Sequence, residues 1–303
     1  MACYARISAI MYRGSSIQEN HVAANIEEVC ALIDRAALDE PDLIALPECF
    51  NALGLRDRSL ISTAEPLDGP TVRTIAKKAS EHHAYIVCPL YERRDDKTYN
   101  SAVLLDRQGE VAGVYHKMWP TIGEIEEGIT PGKEAVVVST DFGKVGFAIC
   151  FDLNFRPVGE QNAAQGAKLI VFSSMYRGGL STQIWAYDFG CYLVSATPSE
   201  MGHFCTPLGR VLGDLWDYQP VMTRAINLDF EILHIDTNER QWEAIRAKYG
   251  RHVTLDIYGP EGVFMMTSDH PEISIQDIIR EFGLEPRSAY FARATQRRAQ
   301  ALR

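Results

Sequence analysis

The sequence predicts an α/β protein in which mixed β-sheet is layered against helices. Apolar runs of strand length alternate with segments that are apolar at helical spacing, a pattern typical of layered α/β folds. Several apolar runs also follow one another with no helix between them, which indicates that the sheet is mixed. A chain of 303 residues, 46% of them hydrophobic, is long enough to bury a large core.

Each element follows from its local pattern. His21–Ala37 repeats apolar residues at helical spacing, and Ser274 with Asp277 forms a capping-box-like helix start that Gly283 is placed to end. We expect helices at 21–37, 71–82, 240–248 and 275–282, and another from Pro157 to near Gly166. We expect strands at 7–12, 43–46, 85–91, 101–105, 111–116, 145–149, 168–173, 192–196 and 221–227.

Composition excludes several classes of function. The formal net charge of -10 disfavours nucleic acid and anionic membrane as partners, and neither a signal peptide nor a transmembrane run is evident. The seven cysteines are scattered and form no C-x-x-C pair, and the eight histidines show no H-E-x-x-H spacing. We therefore expect a reduced, cytoplasmic protein with no metal and no cofactor.

Three strand ends each place a reactive side chain directly after an apolar run. Leu43 to Pro47 leads to Glu48, Val111 to His116 leads to Lys117, and Val145 to Ile149 leads to Cys150. Because sites in layered α/β folds collect beyond the carboxyl ends of strands, we expect the three side chains to converge on one pocket. Each residue alone would more often be an exposed acid, an exposed lysine or a small buried thiol.

Together the three side chains make a consistent set for nucleophilic catalysis. A thiol is only a few per cent thiolate at neutral pH, so a neighbouring base such as Glu48 must take its proton. Lys117 and the backbone N–H of Phe151 can then stabilise the oxyanion of a tetrahedral intermediate. One such donor is typically worth on the order of 10²–10³ in rate.

The segments L-P-E-C-F, Y-H-K and G-F-A-I-C-F-D around these residues resemble the three catalytic motifs of the nitrilase superfamily of carbon–nitrogen hydrolases. The similarity extends from about Ile7 to Phe230. The resemblance implies an α-β-β-α sandwich, four layers in each subunit with mixed sheets, and subunits that pair as a homodimer or a higher homo-oligomer. It also implies that Glu48 is the base, Lys117 the oxyanion stabiliser and Cys150 the nucleophile.

Members of that family often carry a second glutamate between the lysine and the cysteine. Glu124, Glu126 and Glu127 are the candidates here; Glu124 fits best when counted from Lys117, whereas Glu127 competes when counted back from Pro131. We favour Glu124. An acidic loop that simply faces water is the alternative.

The resemblance implies hydrolysis of an amide or N-carbamoyl group through a thioester, with release of ammonia or an amine. C-F-D at the nucleophile resembles the amidase and carbamoylase branches, whereas K-M-W-P-T resembles nitrilases, so a nitrile substrate that reacts through a thioimidate stays open. The chain also has A-Y-D-F-G-C where many members have an arginine-alanine-x-glutamate-asparagine run. Candidate substrate-binding residues are Asn51, Trp119, Glu127, Phe151, Asp152, Tyr176 and Arg177. If Arg177 faced the pocket, a substrate carboxylate would be favoured.

The pattern changes after about Asp236. We expect a hydrolase domain at 1–236 and a helical extension at 237–303 that packs on the core or on a partner subunit. The last stretch, 287–303, holds five arginines and no acid, which is typical of a solvated helix, with a subunit-clasping arm as the alternative. Two other functions stay open: a catalytically silent binding or scaffold protein, and redox sensing at Cys150, for which Cys49 would have to act as resolving cysteine.

Overall fold

A computed structural model describes residues 3–56, 59–199 and 201–303 and shows two units. The larger unit is Ala5–Ile226, and the smaller comprises Asn227–Arg303 together with the amino-terminal residues up to Tyr4. The strands are Tyr4–Ile10 (β1), Leu43–Ala45 (β2), Tyr85–Arg94 (β3), Lys97–Leu105 (β4), Val111–His116 (β5), Val137–Thr140 (β6), Gly143–Ile149 (β7), Leu169–Ser173 (β8), Tyr192–Ala196 (β9), His203–Cys205 (β10), Val211–Asp214 (β11), Val221–Asn227 (β12), Phe230–His234 (β13), Val253–Tyr258 (β14) and Val263–Ser268 (β15). The helices are His21–Ala37 (α1), Pro70–His82 (α2), Ile122–Glu126 (α3), Arg156–Ala164 (α4), Leu180–Phe189 (α5), Trp242–Tyr249 (α6), Ile275–Phe282 (α7) and Arg287–Ala301 (α8).

Two six-stranded mixed sheets form the larger unit. The first has the order β12-β1-β2-β3-β4-β5, and the second has the order β11-β10-β9-β8-β7-β6. In the first sheet β1, β2 and β3 are parallel, and in the second β7, β8 and β9 are parallel, whereas β4, β5, β6, β10 and β11 pair antiparallel. The parallel strands β2, β8 and β9 are buried throughout and mostly apolar, as expected for strands covered on both faces.

Helices cover the outer face of each sheet. Helix α1 buries Ile26, Val29 and Ile33 along one face, and these side chains join residues of α2 and the first sheet in one apolar cluster. Helices α4 and α5 contact each other and pack on β7 and β9 of the second sheet. The layers are therefore helix, sheet, sheet, helix, which confirms the predicted sandwich.

Most of the predicted elements are present in the larger unit. Helix α1 has the predicted bounds, and α2 begins one residue earlier because Pro70 occupies the first helical turn, where its missing N–H is not needed. The predicted strand at 101–105 is longer and begins at Lys97, so that it includes a fully buried Asn100. The short helix α3 was not predicted.

The smaller unit is not wholly helical, which corrects the expected helical extension. Strands β13, β15 and β14 form an antiparallel sheet, and α6 and α7 bury apolar side chains in a cluster with it. The alternation of Thr254, Leu255, Asp256 and Ile257 is a strand pattern that the sequence interpretation missed. Helix α7 has the expected cap at Ser274, and α8 is largely exposed. The boundary at 236/237 stays a prediction; the smaller unit starts at Asn227.

No helix within the described ranges is both long enough and apolar enough to cross a bilayer.

Candidate active site

The three strand ends meet at one cavity in the larger unit. Glu48 follows β2, Lys117 follows β5 and Cys150 follows β7, so the first sheet supplies the carboxylate and the ammonium while the second supplies the thiol. The cavity has a volume of about 260 Å³. It is lined by Glu48, Ile61, Tyr91, Lys117, Thr121, Gly123, Glu124, Glu127, Cys150 and Met175.

Lys117 is the centre of the charged group. Its side chain is 1% exposed, and its Nζ lies 3.0 Å from Glu48 Oε1 and 2.7 Å from Glu124 Oε2. Burial opposes the charged form of the lysine, but the charges of Glu48, Cys150 and Glu124 outweigh it and raise the pKa of Lys117. The ammonium is therefore held protonated between two carboxylates, where it can stabilise negative charge that develops on a substrate.

Glu48 is held by donors from three parts of the chain. Its Oε1 accepts hydrogen bonds from Lys117 Nζ and from Asn100 Nδ2, the latter at 2.8 Å, and its Oε2 accepts one from the backbone N–H of Met175 at 2.9 Å. The strand that precedes it is tied to the second sheet, because Ser173 Oγ donates to the carbonyl of Leu46 at 2.8 Å. These contacts fix the orientation of the Glu48 carboxylate. It lies on the same cavity as the Cys150 thiol, which is the group that a base at this position would deprotonate.

Glu124 lies beside Lys117 because of how helix α3 begins. Thr121 and Glu124 form a capping box: Thr121 Oγ1 accepts from Glu124 N at 3.2 Å, and Glu124 Oε2 accepts from Thr121 N at 2.8 Å. The same Oε2 contacts Lys117, while Oε1 accepts from Asn100. Burial opposes the charge on Glu124, but Lys117 outweighs it and lowers the pKa of the carboxyl. Of the three glutamates considered, Glu124 is the one that contacts Lys117; Glu127 lines the cavity, and Glu126 is exposed outside it.

Cys150 directly follows β7 and is the first residue of a 3-10 turn, Cys150–Asn154. Its φ of 47° is left-handed, which is uncommon for a residue with a Cβ and which clusters at functional sites. Burial and the charge of Glu48 raise the pKa of the Cys150 thiol to about 12, although Lys117 acts in the opposite direction. The resting thiol is thus protonated at neutral pH and needs a base to become a nucleophile.

Asp152 fixes this turn and does not line the cavity. Its carboxylate accepts from Tyr115 OH at 2.7 Å, from Ile149 N at 2.9 Å and from Trp119 N at 2.8 Å. The side chain is fully buried, and burial raises its pKa to about 6. The structure therefore corrects the prediction that Asp152 binds substrate, because its side chain is buried outside the cavity and its carboxylate joins the two sheets beside Cys150.

Asn100 was missed by the sequence interpretation. It lies within β4, is fully buried, and donates from one nitrogen to both Glu48 and Glu124 at 2.8 Å. Its Oδ1 lies 3.6 Å from the sulfur of Cys49, a weak donor, which fixes the orientation of the amide. The first half of β4, K-T-Y-N-S, is polar, so the apolar pattern carried no signal that Asn100 is buried.

Of the other predicted substrate contacts, Glu127 lines the cavity, whereas Asn51, Trp119 and Phe151 do not. Asn51 is buried in the core, where it donates to Thr71 Oγ1 at 3.2 Å. The Trp119 and Phe151 rings both pack on Phe155, at centroid distances of 4.1 Å and 5.1 Å.

Tyr176 and Arg177 follow β8, and neither lines the cavity. The Tyr176 ring packs edge-on against Phe172, and burial and the charge of Cys150 raise the pKa of the Tyr176 hydroxyl to about 12. Arg177 is exposed and does not line the cavity, so the condition for a carboxylate clamp is not met.

One group of possible metal ligands lies elsewhere, on the outer surface of α1 and α2. The side chains of Asp34, Glu81 and His82 converge there, but the Lys78 ammonium lies 2.7 Å from Asp34 and 3.0 Å from Glu81. A cation of the protein's own already occupies this position, which makes the group a salt-bridge cluster.

Comparison with known proteins gives a consistent result. The model of the carbon-nitrogen hydrolase family matches residues 12–230. The nitrilase and fragile histidine triad fusion protein NitFhit of Drosophila melanogaster is 29% identical over 233 residues, 68% of this chain and 51% of the relative, so the chain spans about half of that relative's length. The omega-amidase NIT3 of Saccharomyces cerevisiae is 25% identical over 220 residues, 64% of this chain and 74% of the relative.

The crystal structure of Saccharomyces cerevisiae Nit3, described as a member of branch 10 of the nitrilase superfamily, has the same fold. It superimposes with a TM-score of 0.65 at 20% sequence identity and covers 82% of this chain and 96% of that chain.

Proposed function

Because the chain belongs to the carbon–nitrogen hydrolase family of the nitrilase superfamily, we propose that it hydrolyses a small amide or N-carbamoyl compound through a thioester on Cys150. The observation that carries this proposal is the position of Lys117 between Glu48 and Glu124, on the same cavity as the thiol of Cys150. A base, a cation and a nucleophile are together in a confined space, which is what acyl transfer requires.

In the proposed reaction Glu48 takes the proton of Cys150 as the sulfur attacks the carbonyl carbon of the substrate. The resulting oxyanion is stabilised by the Lys117 ammonium and the backbone N–H of Phe151. When the carbon–nitrogen bond breaks, Glu48 returns the proton to the leaving ammonia or amine and a thioester remains. Glu48 then takes a proton from water, which attacks the thioester and releases the carboxylic or carbamic acid and the thiol.

Two observations support an amide over a nitrile. The omega-amidase NIT3 of yeast is a relative of this chain, and the turn C-F-D after the strand resembles that of amidases and carbamoylases. In this chain the Asp of that turn is Asp152, which holds the two sheets together. A nitrile would share the first step and proceed through a thioimidate, so it is the second candidate.

The test is release of ammonia from a panel of primary amides, N-carbamoyl compounds and nitriles. Cys150→Ala is the blank, and Cys30→Ala, which removes a thiol on α1 away from the cavity, is the matched control. We expect release from amides or carbamoyl compounds by the wild type and by Cys30→Ala, and none by Cys150→Ala. An acyl adduct on Cys150 should be visible by intact mass after a rapid acid quench.

Release from nitriles alone would replace the proposed reaction by the second candidate. Undiminished release by a folded Cys150→Ala protein would remove the mechanism altogether. No release and no adduct with any compound would favour a catalytically silent binding protein.

A further inference from the structure

The cavity that contains Cys150 is small and acidic. A volume of about 260 Å³ is below the 300–1,000 Å³ typical of sites for drug-sized ligands, so the substrate must be small. Among the described lining residues the carboxylates are Glu48, Glu124 and Glu127, and the one basic side chain is Lys117. With the thiol of Cys150 protonated, the lining carries a formal charge of -2.

The only basic group of this lining is already committed within the described part of the chain. Lys117 Nζ contacts Glu48 at 3.0 Å and Glu124 at 2.7 Å, and it is buried. A carboxylate on the substrate would therefore meet no uncommitted cation on the described lining and would lie close to three carboxylates. Such an arrangement repels anions, because like charges a few ångströms apart repel one another.

Glu127 differs from the other two glutamates. Its carboxylate accepts a hydrogen bond from the Ser59 hydroxyl, and no ion pair joins it to a lysine or arginine within residues 3–56, 59–199 and 201–303. It follows helix α3, three positions after Glu124, and residues at this spacing lie on the same face one turn apart. Three residues of helix rise about 4.5 Å, so the backbone of Glu127 lies roughly that far along the helix axis from that of Glu124.

The uncharged part of the cavity wall is largely apolar. Ile61, Tyr91 and Met175 contribute to it. A substrate that fits this lining would have its reactive carbon beside Cys150, a short apolar chain against these side chains and a positive charge near Glu127.

We propose that the substrate is a small cationic compound, a primary amide or N-carbamoyl amine with an ammonium at the far end, and that Glu127 selects it. This inference rests on the proposed function, because it specifies which amides or carbamoyl compounds the same site accepts. It removes the possibility, considered from the sequence, that a carboxylate on the substrate is recognised by Arg177.

The test uses two matched series, primary amides and N-carbamoyl amines, in which chain length is constant and the far end is a methyl, an ammonium or a carboxylate. The quantity to measure is kcat/KM for each compound with the full-length protein. We expect the wild type to prefer the ammonium compound over the methyl compound by about tenfold, equivalent to 1.4 kcal/mol, and to disfavour the carboxylate compound. Added salt should reduce the preference, because the interaction is between charges near solvent.

Glu127→Gln removes the charge and keeps the shape. In this variant the ratio of kcat/KM for the ammonium compound to that for the methyl compound should fall to near one, and using this ratio cancels any general loss of activity. Glu126→Gln is the matched control, since Glu126 is the chain neighbour of Glu127 and is exposed as Glu127 is, but does not line the cavity. It should keep the wild-type ratio.

The outcomes separate this inference from the proposed function. Turnover of the methyl compounds without a preference for the ammonium, or with a preference for the carboxylate, would overturn the role of Glu127 and leave the hydrolase intact. A preference that persists in Glu127→Gln would also overturn it. Turnover of none of the six compounds, together with the silent panel described above, would contradict both.

Discussion

Replacement of Asn100 by alanine should weaken both the fold and the reaction, in a way that depends on pH. The Asn100 amide donates hydrogen bonds of 2.8 Å to Glu48 and to Glu124. Hydrogen bonds to charged groups contribute roughly 1.5–3 kcal/mol each. Water from the cavity can replace the bond at Glu124, which is 12% exposed, more easily than the bond at Glu48, which is 2% exposed. We therefore expect a loss of about 3 kcal/mol in the free energy of unfolding at pH 7.

The pH dependence follows from the direction of the Glu124 shift. Although burial opposes its charge, Lys117 and the hydrogen bonds from Thr121 and Asn100 lower the pKa of Glu124 below 4.5 in the folded protein. The stability contributed by the ionised carboxylate is present above pH 4.5 and is lost as the pH falls through the lowered folded value. Because Asn100→Ala removes part of this contribution, its deficit should be largest above pH 4.5 and should shrink as the pH falls through the lowered folded value.

Asn162→Ala is the matched control for stability. Asn162 is equally buried, and its nitrogen also donates twice, to the carbonyls of Phe147 at 3.1 Å and Val158 at 2.9 Å. Neither acceptor titrates, so its deficit should not change with pH. Urea unfolding of both variants at pH 7 and at successively lower pH values gives the comparison, and amide turnover should fall by about 10²-fold in Asn100→Ala because the two carboxylates lose their alignment. A deficit of Asn100→Ala that does not shrink anywhere in the acid range, or that is below about 1 kcal/mol at pH 7, would refute the reasoning.

Three further changes probe the same site. Lys117→Met leaves two buried carboxylates without their cation and should cost about 3–5 kcal/mol in urea unfolding and abolish turnover; wild-type stability would contradict the ion pairing at Glu48 and Glu124. Alkylation of Cys150, followed by peptide mass mapping, should accelerate by about tenfold per pH unit between pH 8 and pH 10, because burial raises the thiol pKa to about 12; a plateau near pH 8 would contradict this. Gly132→Ala would place a Cβ 2.1 Å from the backbone oxygen of His116, so thermal unfolding should show a loss of about 1–3 kcal/mol and turnover should slow; unchanged values would mean that the backbone there yields freely.

The three strand ends of the site could be predicted because a reactive side chain follows an apolar run at each of them. Glu48, Lys117 and Cys150 each follow a continuous apolar run. In this fold class functional sites form beyond the carboxyl ends of strands, which predicts that the three side chains meet. Membership of the nitrilase superfamily and the sandwich fold are confirmed by the family match and by the structure. The catalytic roles of the three residues stay predictions that the Cys150→Ala experiment tests.

The choice among the glutamates could have been made from the sequence by a different signal. Counting from Lys117 and from Pro131 gave competing answers, but Thr121-Ile-Gly-Glu124 fits the capping-box pattern, in which the fourth residue folds back on the first. Folding back is what turns the Glu124 carboxylate towards Lys117.

Other features of the site leave no trace in the sequence pattern. The third donor to Glu48 is a backbone N–H, that of Met175, and any residue could supply it. The cavity lining likewise depends on packing between distant segments, since Ile61 and Tyr91 belong to different parts of the first half of the chain. Pattern reasoning placed Trp119 and Arg177 at the substrate because they neighbour the right strands, but side-chain direction decides whether a neighbour lines a cavity.

The buried charge of Asp152 lowers the stability of the folded protein at neutral pH, but its carboxylate is needed to accept three hydrogen bonds at this site. Its pKa of about 6 in the folded protein lies above the usual 3.8, so between these values the folded state binds more protons and stability falls as pH rises. At neutral pH the ionised carboxylate therefore costs about 3 kcal/mol relative to a solvated one. A neutral amide would avoid this cost but has only one acceptor oxygen, whereas Tyr115, Trp119 and Ile149 all donate to Asp152. Since Tyr115 is in the first sheet and Ile149 in the second, the carboxylate joins the sheet that carries Glu48 and Lys117 to the sheet that carries Cys150.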